Sequence, residues 1–141
     1  MPVKEAEAVN ALADQGVDVI TCHVDGPKVL TQAAAARGVF VCGYHTSQAA
    51  LAPEHYLTGA EWNWANVYRS FVEKAMAGEP LPNFVRGGLA EGFVKSSPYG
   101  AMVGDAARRQ ADAVRDEMMK GGYAIIKLSL IHISEPTRLR R

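Results

Sequence analysis

Residues 3–43 read VKEAEAVNALADQGVDVITCHVDGPKVLTQAAAARGVFVCG, and this stretch decides the fold. Val3, Ala6, Val9, Leu12 and Ala13 recur at helical spacing, which predicts a helix over 3–15. Glu5 and Glu7 sit in its early turns, where a helix favours carboxylates, and Gly16 ends it. Residues 17–22, VDVITC, then predict a buried strand. Asp25-Gly26-Pro27 opens a second helix, since a proline at the first helical position forfeits no hydrogen bond. That alanine-rich helix is expected over 27–37, with Gly38 as its stop, and 39–43, VFVCG, as a second buried strand. A helix–strand–helix–strand rhythm is that of a parallel sheet with helical crossovers, so the fold class is α/β.

Outward from this core the pattern loosens. Residues 45–55, HTSQAALAPEH, read as a loop or short helical turn, and 56–64, YLTGAEWNW, as a strand. On such a strand Trp62 and Trp64 share one face, with Glu61 and Asn63 on the other. Tyr68, Phe71, Val72 and Ala75 mark one face of a helix over 65–77. GEPLPN is a linker-like turn, and a strand is expected around 92–95 in the glycine-rich GGLAEGFVKSSPYG. Ala107, Ala111, Val114 and Met118 line one side of a helix over 105–120, with Asp105 at its start, Lys120 at its end and Gly121-Gly122 as its stop.

The 141 residues suffice for about one domain, and 48% of them are hydrophobic, enough for a core. Basic and acidic residues number 15 each, so the formal net charge is zero and nothing favours nucleic acid or an anionic membrane as partner. No apolar run reaches the length of a membrane span. The opening MPVKEAEAVNALADQG lacks a signal peptide's basic and apolar segments, so an exported protein would have its front elsewhere. The last residues resemble something other than a protein domain: Leu128 to Arg138 is similar to a translated sequencing adapter. Residues 128–141 are therefore set aside as an artefactual tail, His132 is given no function, and the natural chain is expected to continue past Lys127.

In open α/β sheets ligands bind beyond the carboxyl ends of the strands. Two such ends carry polar groups here: Cys22-His23-Val24-Asp25-Gly26, and Tyr44-His45-Thr46-Ser47. The amide groups from Gly26 to Val29 add possible donors to a ligand acceptor. Each residue has a plainer reading. Asp25 can simply cap the following helix, His23 and His45 can be satisfied loop residues, and the two tryptophans can be core. The tryptophans also suit a flat wall for a planar ligand, because stacking of a base on an aromatic ring is worth about 1–3 kcal/mol. His23, Asp25 and His45 are the right types for zinc, a weaker alternative. No G-x-S-x-G, G-x-G-x-x-G or P-loop motif is present, which argues against a hydrolase or a nucleotide enzyme. Cys22 and Cys42 read as two buried free thiols, and they come close if their strands are neighbours.

Four segments in order, DVITCHVDGP, GVFVCGYHTSQAALAP, HYLTGAEWNWANVY and GGLAEGFVKSSPYG, resemble the basic-membrane-protein (PnrA-like) family of ABC-transporter substrate-binding lipoproteins, over about Lys4 to Lys127. The resemblance implies a Rossmann-like lobe of a type I periplasmic-binding-protein fold, incomplete here. Residues 1–127 would form the carboxy-terminal part of a two-lobed domain whose amino-terminal lobe is largely missing. It further implies an extracytoplasmic, lipid-anchored receptor that passes a purine to an ABC permease and ATPase, with no catalysis and no cofactor. A sensor or regulator of the same fold is the alternative, and an enzyme or metal protein using His23, Asp25 and His45 a further one.

The resemblance carries over residue by residue. In nucleoside-binding members the segment matching GYHTSQ reads Gly-Val-Asp-x-Asp-Gln, and its first aspartate falls on His45. A lysine of those members falls on Trp62. That aspartate and lysine hold the ribose hydroxyls, and this sequence has neither. GYH followed by a Ser/Thr-type residue is similar to the subgroup associated with adenine-like ligands. The ligand set expected is His23, Asp25, Gly26, Tyr44, His45, Trp62 and Trp64, with no metal.

Overall fold

The computed structural model describes residues 2–121. The elements run α1 (Pro2–Asp14), β1 (Val19–Thr21), α2 (Pro27–Ala36), β2 (Phe40–His45), a 3-10 turn (Ala49–Leu51), β3 (Tyr56–Trp62), α3 (Trp64–Met76), β4 (Val94–Ser96) and α4 (Asp105–Met119). Residues 123–127, YAIIK, and the tail at 128–141 lie outside the described residues.

Among the described residues the sheet has four strands in the order β1-β2-β3-β4. β1 pairs parallel with β2 (Ile20 opposite Val41), and β2 parallel with β3 (Tyr44 opposite Ala60, His45 opposite Glu61). β4 closes the edge antiparallel to β3, with Trp62 opposite Val94. The expected parallel pair is thus present, and β2 extends two residues past 43, bringing Tyr44 and His45 onto the strand.

One core cluster explains this arrangement. Val9 from α1, Leu30 and Ala34 from α2, Ile20 from β1, and Val39 and Val41 beside or within β2 are buried together. Burial of such side chains contributes about 1.5–3 kcal/mol each. β1 is less enclosed than a parallel strand is expected to be: only Ile20 is buried, and Val19 is 44% exposed. No described element covers that second face of β1, and a strand covered on one side alternates instead of burying every residue.

β3 is fixed from below by Tyr56, which is wholly buried. Its hydroxyl meets Ser97 Oγ at 2.8 Å, and Ser97 Oγ donates to Glu61 Oε1 at 2.6 Å. Lys95 completes the set at 3.2 Å from Glu61 Oε2. Gly43 and Gly59 leave room for this ring: a Cβ on Gly43 would stand 2.7 Å from Tyr56 Cε2, and one on Gly59 2.5 Å from its hydroxyl.

Two expectations change. The strand over 56–64 stops at Trp62, and Trp64 begins α3. Asn63 causes the break. Its N–H donates to Phe93 O at 2.8 Å and its Nδ2 to Gly92 O at 2.9 Å, which turns the chain out of the sheet. α4 forms where its apolar spacing predicts, yet none of its residues is buried, and Val114 is 41% exposed. Polar contacts hold it: Arg108 donates to Val103 O (2.8 Å) and Gly100 O (3.0 Å), and Tyr99 Oη donates to Asp112 Oδ1 (2.8 Å). No helix among the described residues is long and apolar enough to cross a membrane.

Candidate ligand-binding face

Because β1, β2 and β3 are parallel, their carboxyl ends reach one edge of the sheet. His23 follows β1, Tyr44 and His45 end β2, and Trp62 ends β3. Their rings form a connected row. The His23 and Tyr44 centroids are 4.5 Å apart in an edge-on arrangement, and Tyr44 lies 6.0 Å from Trp62. His45 sits 3.9 Å from Tyr44. Trp64 continues the row at 6.2 Å from Trp62, and Tyr68, one helical turn on, stacks on Trp64 at 5.9 Å. Such edge-on and offset contacts suit aromatic quadrupoles.

The tryptophans therefore meet, though not as neighbours on one strand. Trp62 is the last residue of β3 and Trp64 the first of α3. Their rings stay accessible, 41% and 55% exposed, so they are not core. Both line a concavity of about 250 Å³ whose other walls are Val67, Val85, Arg86, Gly87 and Phe93.

One polar contact organises the row. The Trp62 indole Nε1–H donates to His45 Nδ1 at 2.8 Å. His45 also has a φ of +72°, unique among the described non-glycine residues. Left-handed backbone is costly for a side chain bearing a Cβ and persists only where surroundings enforce it. Gln48 enforces it here. Its buried carboxamide donates to Tyr44 O at 2.7 Å and to Thr46 O, and accepts from the Tyr44 N–H at 3.2 Å. Sequence reasoning missed Gln48; its only signal was a long amide side chain just past a strand end, as in an Asn- or Gln-held turn.

The other strand end is organised differently from expectation. The amino end of α2 has no side-chain cap, and Gly26 occupies the cap position, so Asp25 is not the capping residue. The Gly26 N–H donates to Glu5 Oε1 at 3.3 Å, so this amide is engaged by the chain itself. Glu5 comes from α1 and was read only as a helix-start carboxylate. A Cβ at Gly26 would stand 2.5 Å from Glu5 Oε2, so a larger residue there would displace the Glu5 carboxylate. Asp25 and His23 are both exposed at this edge. Among the described residues no three His, Cys, Asp or Glu side chains gather as a metal site, so His23, Asp25 and His45 do not form the zinc-type set considered as an alternative.

Cys22 and Cys42 are half-buried free thiols, with Cys22 Sγ 3.9 Å from Cys42 O. Burial raises both thiols above the ordinary cysteine range; the charges of Cys42 and Glu5 add to the effect at Cys22, while a backbone hydrogen bond from Thr58 opposes it at Cys42. Neither is an activated nucleophile, since activation requires a lowered pKa.

The family of PnrA-like ABC transporter substrate-binding proteins matches residues 2–129. A purine-binding protein of Brucella abortus is 34% identical over 107 residues, which is 76% of this chain and 30% of that protein. A putative ABC transporter glucose-binding protein of Haloferax volcanii is 29% identical over 118 residues, 84% of this chain and 30% of that protein. Among solved structures, an ABC transporter system solute-binding protein from Conexibacter woesei superposes with a TM-score of 0.68 at 26% identity, over 87% of this chain and 42% of that one. A transcriptional activator of the comK gene from Bacillus halodurans gives a TM-score of 0.77 at 21% identity, over 85% of this chain and 43% of that one, a likeness of fold alone. The chain thus spans under half the length of the relatives it matches. With a mainly parallel α/β sheet whose strand ends carry an aromatic row, and a family match across every described residue, this chain belongs to the PnrA-like substrate-binding proteins of ABC transporters.

Proposed function

We propose that this chain is part of the carboxy-terminal lobe of an extracytoplasmic, lipid-anchored receptor that binds a purine base and delivers it to an ABC permease and its ATPase. A preceding lobe closes the other side of the cleft. The protein carries its ligand without transforming it.

One observation carries the purine-base reading: Trp62 and His45 are hydrogen-bonded to each other at 2.8 Å. These are the two positions where nucleoside-binding members place a lysine and an aspartate on the ribose. Here the indole N–H and imidazole Nδ1 are spent on each other, and neither remains for a sugar hydroxyl. A ribose there would find at most the His45 Nε2–H from this pair, and each hydroxyl buried without a partner costs about 1–3 kcal/mol. A bare base presents a flat face to Trp62 or Trp64 and a hydrogen-bonding edge to His23, Asp25 and Tyr44. Adenine's exocyclic amine suits Asp25, and its ring nitrogens suit a histidine N–H. The purine-binding relative supports this reading.

The glucose-binding relative supports a second reading, since sugar rings also pack on tryptophan. Calorimetry on the complete receptor separates the two. Adenine, guanine, adenosine, ribose, glucose and a control amino acid are titrated in turn. The proposal expects adenine or guanine to bind tightest; heat from glucose alone would replace the purine reading with the sugar one.

A further inference from the structure

We infer that Trp62 sets the direction of hydrogen bonding at His45, making the His45 Nε2–H a donor that selects ligands with a lone-pair ring nitrogen at that edge. This rests on the purine reading and makes it specific.

Indole nitrogen only donates, so the 2.8 Å contact from Trp62 Nε1 requires His45 Nδ1 to be the acceptor. A neutral imidazole carries one proton, which must then sit on Nε2. The ring cannot exchange its two nitrogens by turning over without breaking this bond. The backbone that carries the ring is itself fixed: His45 is held left-handed at φ +72° by the carboxamide of Gln48 bonded on both sides of it, at Tyr44 and Thr46. No hydrogen bond from Nε2 is found among the described residues, so that donor is left for a ligand.

The rest of the row limits what the ligand can be. Tyr44 lies 3.9 Å from the His45 ring centroid and Trp62 6.4 Å, so the imidazole is flanked by aromatic rings. A planar heteroaromatic laid along these rings meets the Nε2–H with its edge. An unprotonated ring nitrogen there forms a bond; a C–H there leaves the donor buried without a partner. Trp62 is a positioning residue in this scheme, and His45 the specificity-determining one.

Two measurements on the complete receptor test it. The first needs no ligand. In uniformly 15N-labelled protein, a coupling transmitted across the hydrogen bond between Trp62 Nε1 and His45 Nδ1 is expected, and it is lost in Trp62→Phe, which keeps a ring but no N–H. An indole N–H that exchanges freely with water and shows no coupling would overturn the lock. The second is a ligand series of adenine with 1-deaza-, 3-deaza- and 7-deazaadenine. One analogue is expected to bind about tenfold weaker than adenine, and in His45→Phe that difference is expected to vanish. All three analogues binding as well as adenine, or the same discrimination surviving in His45→Phe, would refute the donor while leaving purine binding intact. Absence of any purine binding would refute the purine reading, and with it the assignment of this donor to a ring nitrogen.

Discussion

Gln48 and Tyr44 are joined reciprocally: the Gln48 carboxamide donates to the Tyr44 carbonyl at 2.7 Å and accepts from the Tyr44 amide at 3.2 Å. Gln48 is only 3% exposed, so no water replaces it readily. The pair holds the end of β2 in the shape that presents His45.

Gln48→Ala is therefore expected to lower stability by about 2–3 kcal/mol, because several partly buried backbone bonds lose their partner at once. Ligand affinity should fall as well, since His45 no longer has an enforced backbone. Urea unfolding and calorimetry on the same variant check both. A stable variant with unchanged affinity would show that the clamp is incidental.

Trp62→Ala should weaken binding of a purine base by about 1–3 kcal/mol if the indole stacks on it. Trp64→Ala should cost less, because Trp64 also leans on Tyr68 and contacts the row only through Trp62. Calorimetry on the two single variants checks the order. An equal loss in both would place the ligand between the two rings.

Gly43→Ala should destabilise the sheet by about 1–3 kcal/mol or more through overpacking. Its new methyl would meet the Tyr56 ring and the Gln48 carboxamide, both of them buried. Thermal unfolding by circular dichroism checks this. An unchanged midpoint would mean that Tyr56 can repack.

The two thiols should react slowly with iodoacetamide at pH 8. Burial raises both, so the folded protein holds less thiolate at that pH than the unfolded chain, and each pH unit below a thiol's pKa cuts its thiolate roughly tenfold. Rates should climb as pH rises. Alkylation followed by mass spectrometry, with and without denaturant, checks this; equal rates in both would contradict the burial.

Much of this fold was legible locally. Gly16, Gly38 and Gly121 stop their helices with φ of +82°, +70° and +75°, the left-handed conformation that glycine adopts without strain. Pro27 starts α2, as its position announces. The strand ends were legible too, because alternating helices and strands force parallel pairing and so a common edge. Contacts between distant segments were not. Glu5 reaches Gly26 across 21 positions, and Asn63 reaches Gly92 across 29. Neither pairing leaves a periodic trace, so the engaged amide at Gly26 and the break after Trp62 were missed. The exposure of α4 was missed for a related reason: an amphipathic pattern states which face is apolar, not what lies against it. His23, Tyr44 and His45 were singled out because strand topology brings two polar strand ends to one edge, and Trp62 through its pairing with Trp64 and the family resemblance. Gln48 acts through backbone atoms, and no residue-type motif marks such a role.

The central claim is that His45 and Trp62 turn this site from a nucleoside toward a bare base. Calorimetry of adenine against adenosine tests it most directly, on the complete receptor and on the double variant His45→Asp with Trp62→Lys. The natural sequence should bind adenine more tightly than adenosine. The double variant should shift the preference toward adenosine by about tenfold or more, because two ribose-holding groups replace a pair whose indole N–H and imidazole Nδ1 are spent on each other. Tighter binding of adenosine by the natural sequence would contradict the account.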